Sequence, residues 1–264
     1  MRILVDQSVY SRSFVFSFAY DPNQDPDERN RLIGVKPRMI EPERRSFLLT
    51  EWPHLAKLVR QYTNGRVQFY TTFVLYNEAF PTLTLGSHHA FPTSFFHFCE
   101  EGWIEDPFNF LTLGAMESQP AKNFDLAIKF AMRRGIEDIQ RSHRYVSTEC
   151  VEILLSTLRN SPPKHYRDIY NIYLAHVNNV NYFLTFDKKI IRYFSDTIKN
   201  PFRCEPVLPS SLGPLLEEDK KYEFAIPQSE FLILPEMMNY WRSIGLTPAR
   251  RTAQALTANT ITES

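Results

Sequence analysis

Apolar positions along this chain fall into short runs and helical stripes that alternate with each other. The chain opens on "RILVD", a compact apolar run that ends in Asp6. That pattern predicts a central parallel strand with an acid at its carboxyl end. Pro22 and Pro26 then exclude a regular element from "YDPNQDPDERN". Residues 42–63 carry Phe47, Leu48, Leu55, Leu58 and Val59 at helical spacing, and Pro53 is expected to split this stretch into two helices. Asn64-Gly65 reads as a stop and turn. "RVQFYTT" follows as a second strand, and Thr71 or Thr72 is placed to cap a helix over "FVLYNEAF", which Pro81 ends.

From about 81 to 120 the periodicity is lost, while Phe91, Phe95, Phe96, Phe98, Trp103, Phe108 and Phe110 crowd together. Short helices, loops and a local aromatic core are expected there. Residues 123–136 predict a helix closed by Gly135. Residues 144–160 predict another, capped by Ser147 or Thr148, with Val151, Leu154, Leu155 and Leu158 as its buried stripe. The segment "HYRDIYNIYLAHVNNVNYFLTFDKK" then reads as a helix, a loop and a short buried strand. Ile169, Ile172, Tyr173 and Val177 form the helix's core face. "KKIIRYF" adds a helical turn or two, and "CEPVLPSSL" a last short strand. Beyond residue 209 the composition changes: 229–241 predict a docking helix interrupted by Pro235, and "PARRTAQALTANTITES" lacks the apolar mass to fold.

Composition narrows the partners. The chain has 264 residues, 43% of them hydrophobic, enough for one large domain or one domain with appendages. Lys+Arg and Asp+Glu are each 30, so no global basic field exists, and an anionic partner must be met by a local patch. Cys99, Cys150 and Cys204 are far apart and form no CxxC, which argues against a zinc site or a disulfide framework. Free thiols, a first strand in place of a signal segment, and the lack of a long apolar run lead us to expect a cytoplasmic protein with no membrane partner.

The acids carry the candidate chemistry. Asp6 follows the first strand, Glu78 lies in the helix after the second, Asp168 starts a later helix and Asp187 follows a late strand. Strand–helix alternation predicts an open parallel α/β sheet, whose functional groups gather beyond the carboxyl ends of its strands. Taken singly, Asp168 reads as a helix cap and Asp187 as a turn residue. Taken together, carboxylates converging without a basic partner call for a divalent cation. Oxygen donors with no Cys or His cluster point to Mg²⁺ or Mn²⁺, and such a site suits phosphodiester hydrolysis. The Ser8 hydroxyl, two residues after Asp6, is placed to hold its carboxylate. Glu149 is a rival for the central acid. His165 reads either as a helix-start residue or as facing the site. Lys188-Lys189 read as a solvated pair or a phosphate contact, and His88-His89 as surface.

Two segments resemble the signature blocks of the PIN domain family. "ILVDQSVYSRSF" resembles the opening strand with its aspartate, hydroxyl and aromatic. "RDIYNIYLAHVNNVNYFLTFDKKI" resembles the later block, through Asp168, Ala175, Thr185 and Asp187. "GRVQFYTTFVLYNEAF" is similar to the intervening strand and helix, with Glu78 as the central glutamate. The resemblance implies a three-layer α/β/α PIN-like domain over 1–208, with a helical or irregular insertion at about 81–145. The C-terminal extension would be 209–264, its last ~15 residues disordered. It further implies a Mg²⁺- or Mn²⁺-dependent endoribonuclease using Asp6, Glu78, Asp168 and Asp187. Many relatives are toxins of toxin–antitoxin pairs, so RNA, an antitoxin-like protein and a second copy are the expected partners. The alternatives are a catalytically silent PIN-like binding module for RNA or protein, and a structure-specific DNA nuclease. The Lys188-Lys189 pair stands where many relatives offer another acid, which leaves the number of metals open.

Overall fold

A computed structural model describes residues 1–20, 32–72, 75, 92–104, 146–216, 221–228 and 231–247. The predicted helix over 123–136 with Gly135, the aromatics Phe91, Phe108 and Phe110, the candidate acid Glu78 and the last ~15 residues lie outside the described residues. The chain forms two compact units. One comprises Met1–Val9, Gln68–Pro81 and Glu101–Leu208, and the other Tyr10–Val67, Thr82–Glu100 and Pro209–Ser264.

The first unit is α/β, with a central parallel five-stranded sheet flanked by helices. Its strands are β1 (Arg2–Val5), β4 (Gln68–Thr71), β5 (Gly102–Trp103), β6 (Tyr182–Leu184) and β7 (Glu205–Val207), numbered along the whole chain. They lie in the order β5-β4-β1-β6-β7, all parallel. Strand β1 is central: Ile3 pairs with Phe69 on one side and Tyr182 on the other. Ile3, Leu4 and Val5 are all buried, as expected of a strand covered on both faces. From β1 the chain order runs outward to β4 and β5, then reverses to β6 and β7. The reversal puts a topological switch point between β1 and β6, where open α/β sheets place their ligands. The two-residue edge strand β5 is too short to show as a pattern in the sequence. Trp103 on it is 57% exposed, whereas Phe95 and Phe98 are buried as a local aromatic core.

Helices α3 (Thr148–Arg159) and α4 (Tyr166–Val177) supply the main apolar layer of this unit. Ser147 caps α3 by accepting the Cys150 N–H, and Val151, Leu154, Leu155 and Leu158 are buried along one stripe. Ile169, Ile172 and Tyr173 of α4 are buried in the same cluster, with Val177 packed at its edge. Each aliphatic side chain buried this way stabilises by about 1.5–3 kcal/mol.

The second unit holds α2 (Pro42–Thr63) and the antiparallel pair β2 (Phe16–Tyr20) and β3 (Leu32–Pro37). Contrary to the expected split at Pro53, α2 is a single helix. Proline removes the bond to the carbonyl four residues back. That carbonyl belongs to Leu49, a residue 38% exposed. Meanwhile Leu48, Trp52, Leu55 and Ala56 bury one continuous face that offsets the lost bond. Gly65, at φ +72°, makes the predicted turn after it.

The C-terminal helix α6 (Leu234–Ser243) also departs from expectation. Pro235 sits in its first turn and begins the helix, where a missing N–H costs nothing. Before it the backbone is extended, and Leu232 exchanges hydrogen bonds of 2.7 and 3.0 Å with Val35. Trp241 of α6 is fully buried against Phe16, Phe95 and Phe98, so this helix is core to the second unit.

Candidate active site at the switch point

Asp6 leaves β1 at its carboxyl end, and its backbone N–H still continues the sheet by donating to the Leu184 carbonyl at 2.9 Å. Helix α1 (Gln7–Arg12) starts at once, so the carboxylate also meets the backbone N–H groups of Gln7 and Ser8. Across the switch point, β6 ends at Leu184 and is followed by Thr185, Phe186 and Asp187. The register brings Thr185 beside Asp6.

A compact polar cluster results. Thr185 Oγ1 donates to Asp6 Oδ2 at 2.7 Å, and Ser8 Oγ donates to the same oxygen in a short hydrogen bond. Each hydroxyl in turn accepts a backbone N–H: Ser8 Oγ from Phe186 at 3.0 Å, and Thr185 Oγ1 from Asp187 at 3.0 Å. Both hydroxyl protons are therefore committed to one carboxyl oxygen, Oδ2. Asp6 is only 9% exposed, and burial raises its pKa above the ordinary aspartate value. The hydrogen bonds from Ser8, Thr185 and Gln7 pull against that rise. No Lys or Arg among the described residues forms an ion pair with Asp6.

Asp187 is exposed and caps helix α5 (Lys188–Arg192), its Oδ1 accepting the Lys189 N–H at 2.8 Å. The capping role keeps the carboxylate at the carboxyl edge of the sheet, two residues beyond Thr185. Asp168 occupies the first turn of α4, and its side chain is 33% exposed. One turn further on, buried Asn171 accepts a 2.9 Å hydrogen bond from the Thr72 hydroxyl. Thr72 directly follows β4, so this bond brings the start of α4 toward the carboxyl edge of the sheet. Thr72 Oγ1 also accepts the Leu75 N–H at 3.1 Å, the capping role expected of it. Glu149, the rival central acid, is an exposed residue in the first turn of α3.

His165 connects the later acids. Its Nδ1 lies 3.9 Å from Asp168 Oδ2, and the Asp187 carboxylate is close enough to favour its protonated form. Burial, the largest influence, and Lys164 act the other way, and the net shift is downward. The imidazole stacks on Tyr193 with ring centroids 4.2 Å apart and planes 19° from parallel.

Oxygen donors and a buried carboxylate at Asp6 that forms no ion pair among the described residues suit a hard divalent cation. Among the described residues, however, no group of three or more His, Cys, Asp or Glu side chains converges closely enough to hold a metal ion. The fourth acid, Glu78, lies outside them. The structure thus joins Asp6 to Ser8 and Thr185, and sets His165 beside Asp168 and within electrostatic reach of Asp187. Asn171 is missing from the candidates read from sequence. Its signal was a single amide, three residues after Asp168, on an otherwise apolar helix face. No helix among the described residues is long and apolar enough to cross a membrane. Comparison with family models, with curated proteins and with solved structures finds no match for this chain.

Proposed function

We propose that this chain is a PIN-like nuclease with a three-layer α/β/α catalytic domain, dependent on Mg²⁺ or Mn²⁺ and acting on RNA phosphodiester bonds. The observation that carries the reading is Asp6: a buried carboxylate at the switch point, accepting two hydroxyl protons and lacking an ion-pair partner among the described residues. Burying such a charge is costly, and a bound divalent cation offsets that cost.

In this reading Asp6 would hold the cation, and Asp168, Asp187 and Glu78 would complete the set through water, since no three such side chains among the described residues converge closely enough to hold it directly. When bound, a cation of this kind supplies Lewis-acid stabilisation of phosphate charge and acidifies water. The chain's own residues do the positioning. Ser8 and Thr185 fix the Asp6 rotamer through Oδ2. The first turn of α5 orients Asp187, and exposed Lys188 and Lys189 stand beside it as contacts for the substrate backbone. The test is Mn²⁺-dependent cleavage of RNA by Asp6→Asn and Asp168→Asn variants whose folding is verified by circular dichroism. Both should be inactive, and wild-type rates in both would overturn the assignment.

A catalytically silent PIN-like binding module is the second reading. It is favoured by the lack, among the described residues, of a converging group of three metal-ligating side chains. Calorimetric titration with Mn²⁺ separates the two readings, since a silent module shows no carboxylate-dependent binding. Parallel assays on RNA and flap DNA separate a ribonuclease from a structure-specific DNA nuclease.

A further inference from the structure

His165 is held more firmly than a helix-start residue requires. Its ring lies on Tyr193. Tyr193 is itself anchored, its hydroxyl donating to Ser161 Oγ at 2.7 Å while Ser161 Oγ donates to the Thr157 carbonyl at 2.7 Å. The imidazole side chain is only 14% exposed, and its Nδ1 edge faces Asp168. The opposite edge, Nε2, makes no hydrogen bond among the described residues. A stacked ring beside Asp168 and within electrostatic reach of Asp187 thus carries one polar atom that no described residue uses.

We infer that His165 is a substrate-positioning residue whose Nε2 hydrogen-bonds the ribose 2′-hydroxyl beside the scissile phosphate, giving the site its preference for RNA over DNA. This rests on the nuclease reading above. Hydrolysis by an activated water does not consume the 2′-hydroxyl, so the chemistry alone does not distinguish RNA from DNA. Discrimination requires a contact, and the 2′-hydroxyl is the group that differs. A hydroxyl both donates and accepts, so it pairs with Nε2 in either tautomer of the ring. The stack on Tyr193 pre-orders the ring, so little rotamer freedom remains to be lost on binding.

The experiment compares an RNA oligonucleotide with the same strand carrying one 2′-deoxy nucleotide at the mapped cleavage position, both with Mn²⁺. Wild type should cut the deoxy strand about tenfold more slowly, the value of one hydrogen bond. His165→Phe keeps a ring over Tyr193 but lacks the polar edge. It should lose about tenfold in kcat/KM on the all-ribose strand and nothing further on the deoxy strand, with Mn²⁺ affinity by calorimetry unchanged. Equal losses on both strands, no loss on either, or a weakened Mn²⁺ affinity would each overturn the inference. If His165→Phe does not fold, the wild-type comparison decides alone, and equal cutting of the two strands overturns it. Asp6→Asn keeps the two failures apart. Wild-type activity in that variant defeats the nuclease reading. An inactive Asp6→Asn together with intact ribose discrimination in His165→Phe defeats only this inference.

Discussion

The Thr185 hydroxyl donates a 2.7 Å hydrogen bond to Asp6 Oδ2, so one side-chain oxygen ties together the carboxyl ends of two adjacent parallel strands. Thr185 is fully buried, and its oxygen also accepts the Asp187 N–H. Thr185→Val keeps the shape but removes both functions. A hydrogen bond to a charged group contributes roughly 1.5–3 kcal/mol, and urea denaturation should show a loss of that size. Thr185→Ser should recover most of it.

Asp6 makes stability depend on pH in an uncommon direction. Its pKa in the folded chain is raised, chiefly by burial. Its contribution to stability is therefore fully present below the ordinary carboxylate pKa of about 4 and is lost as pH rises through the folded value. Asp6→Asn, which is neutral at every pH, should fall behind wild type at acid pH and gain on it as pH rises. Denaturation midpoints measured in steps from acid to neutral pH check this, and a constant difference between the two chains would refute it.

Metal addition should act on the same group. A cation that binds only the folded chain stabilises it by about 2.7 kcal/mol at a hundredfold excess over Kd. Mn²⁺ should raise the Tm of wild type near neutral pH, raise it less in acid where protons compete for Asp6, and leave Asp6→Asn unmoved. EDTA should return wild type to its starting Tm.

In the second unit, Trp241 is the test of whether the C-terminal helix is structural. Its indole Nε1–H donates to the Pro92 carbonyl at 2.7 Å, and its ring meets Phe16, Phe95 and Phe98. Trp241→Ala should cost about 3–5 kcal/mol, as large aromatic truncations in cores do. A truncation after residue 230 should be at least as damaging. A fully folded truncated chain, judged by near-UV circular dichroism, would show the helix to be dispensable.

Much of the first unit was legible because its signals are local. The run ending at Asp6, the stripe from Val151 to Leu158 and the α4 face at Ile169, Ile172 and Tyr173 are periodicities within single elements. Ser147 was readable as a cap for the same reason. Pro53 was misread because a proline's cost depends on what flanks it in three dimensions, and the Trp52–Leu55 face outweighs it. Pro235 was misread by position: one residue decides whether proline breaks a helix or starts it. In the candidate site, Asp6, Ser8, Asp168 and Asp187 stood out by their places at element ends. Asn171 and the Tyr193–Ser161 anchor did not, because they act through partners distant in sequence, Thr72 for the one and His165's ring stack for the other.

The central place of β1 has a kinetic consequence. It is made first, yet Ile3 pairs with Phe69 and Tyr182, so this strand waits unpaired while much of the chain emerges. Such non-local pairing pays loop-closure entropy before any contact repays it, which slows folding. Until β6 has been synthesised, "ILV" is an apolar segment with one side still open, the kind of edge on which growing chains associate. The same long-range closure that sets Thr185 against Asp6 therefore cannot form until β6 has been made.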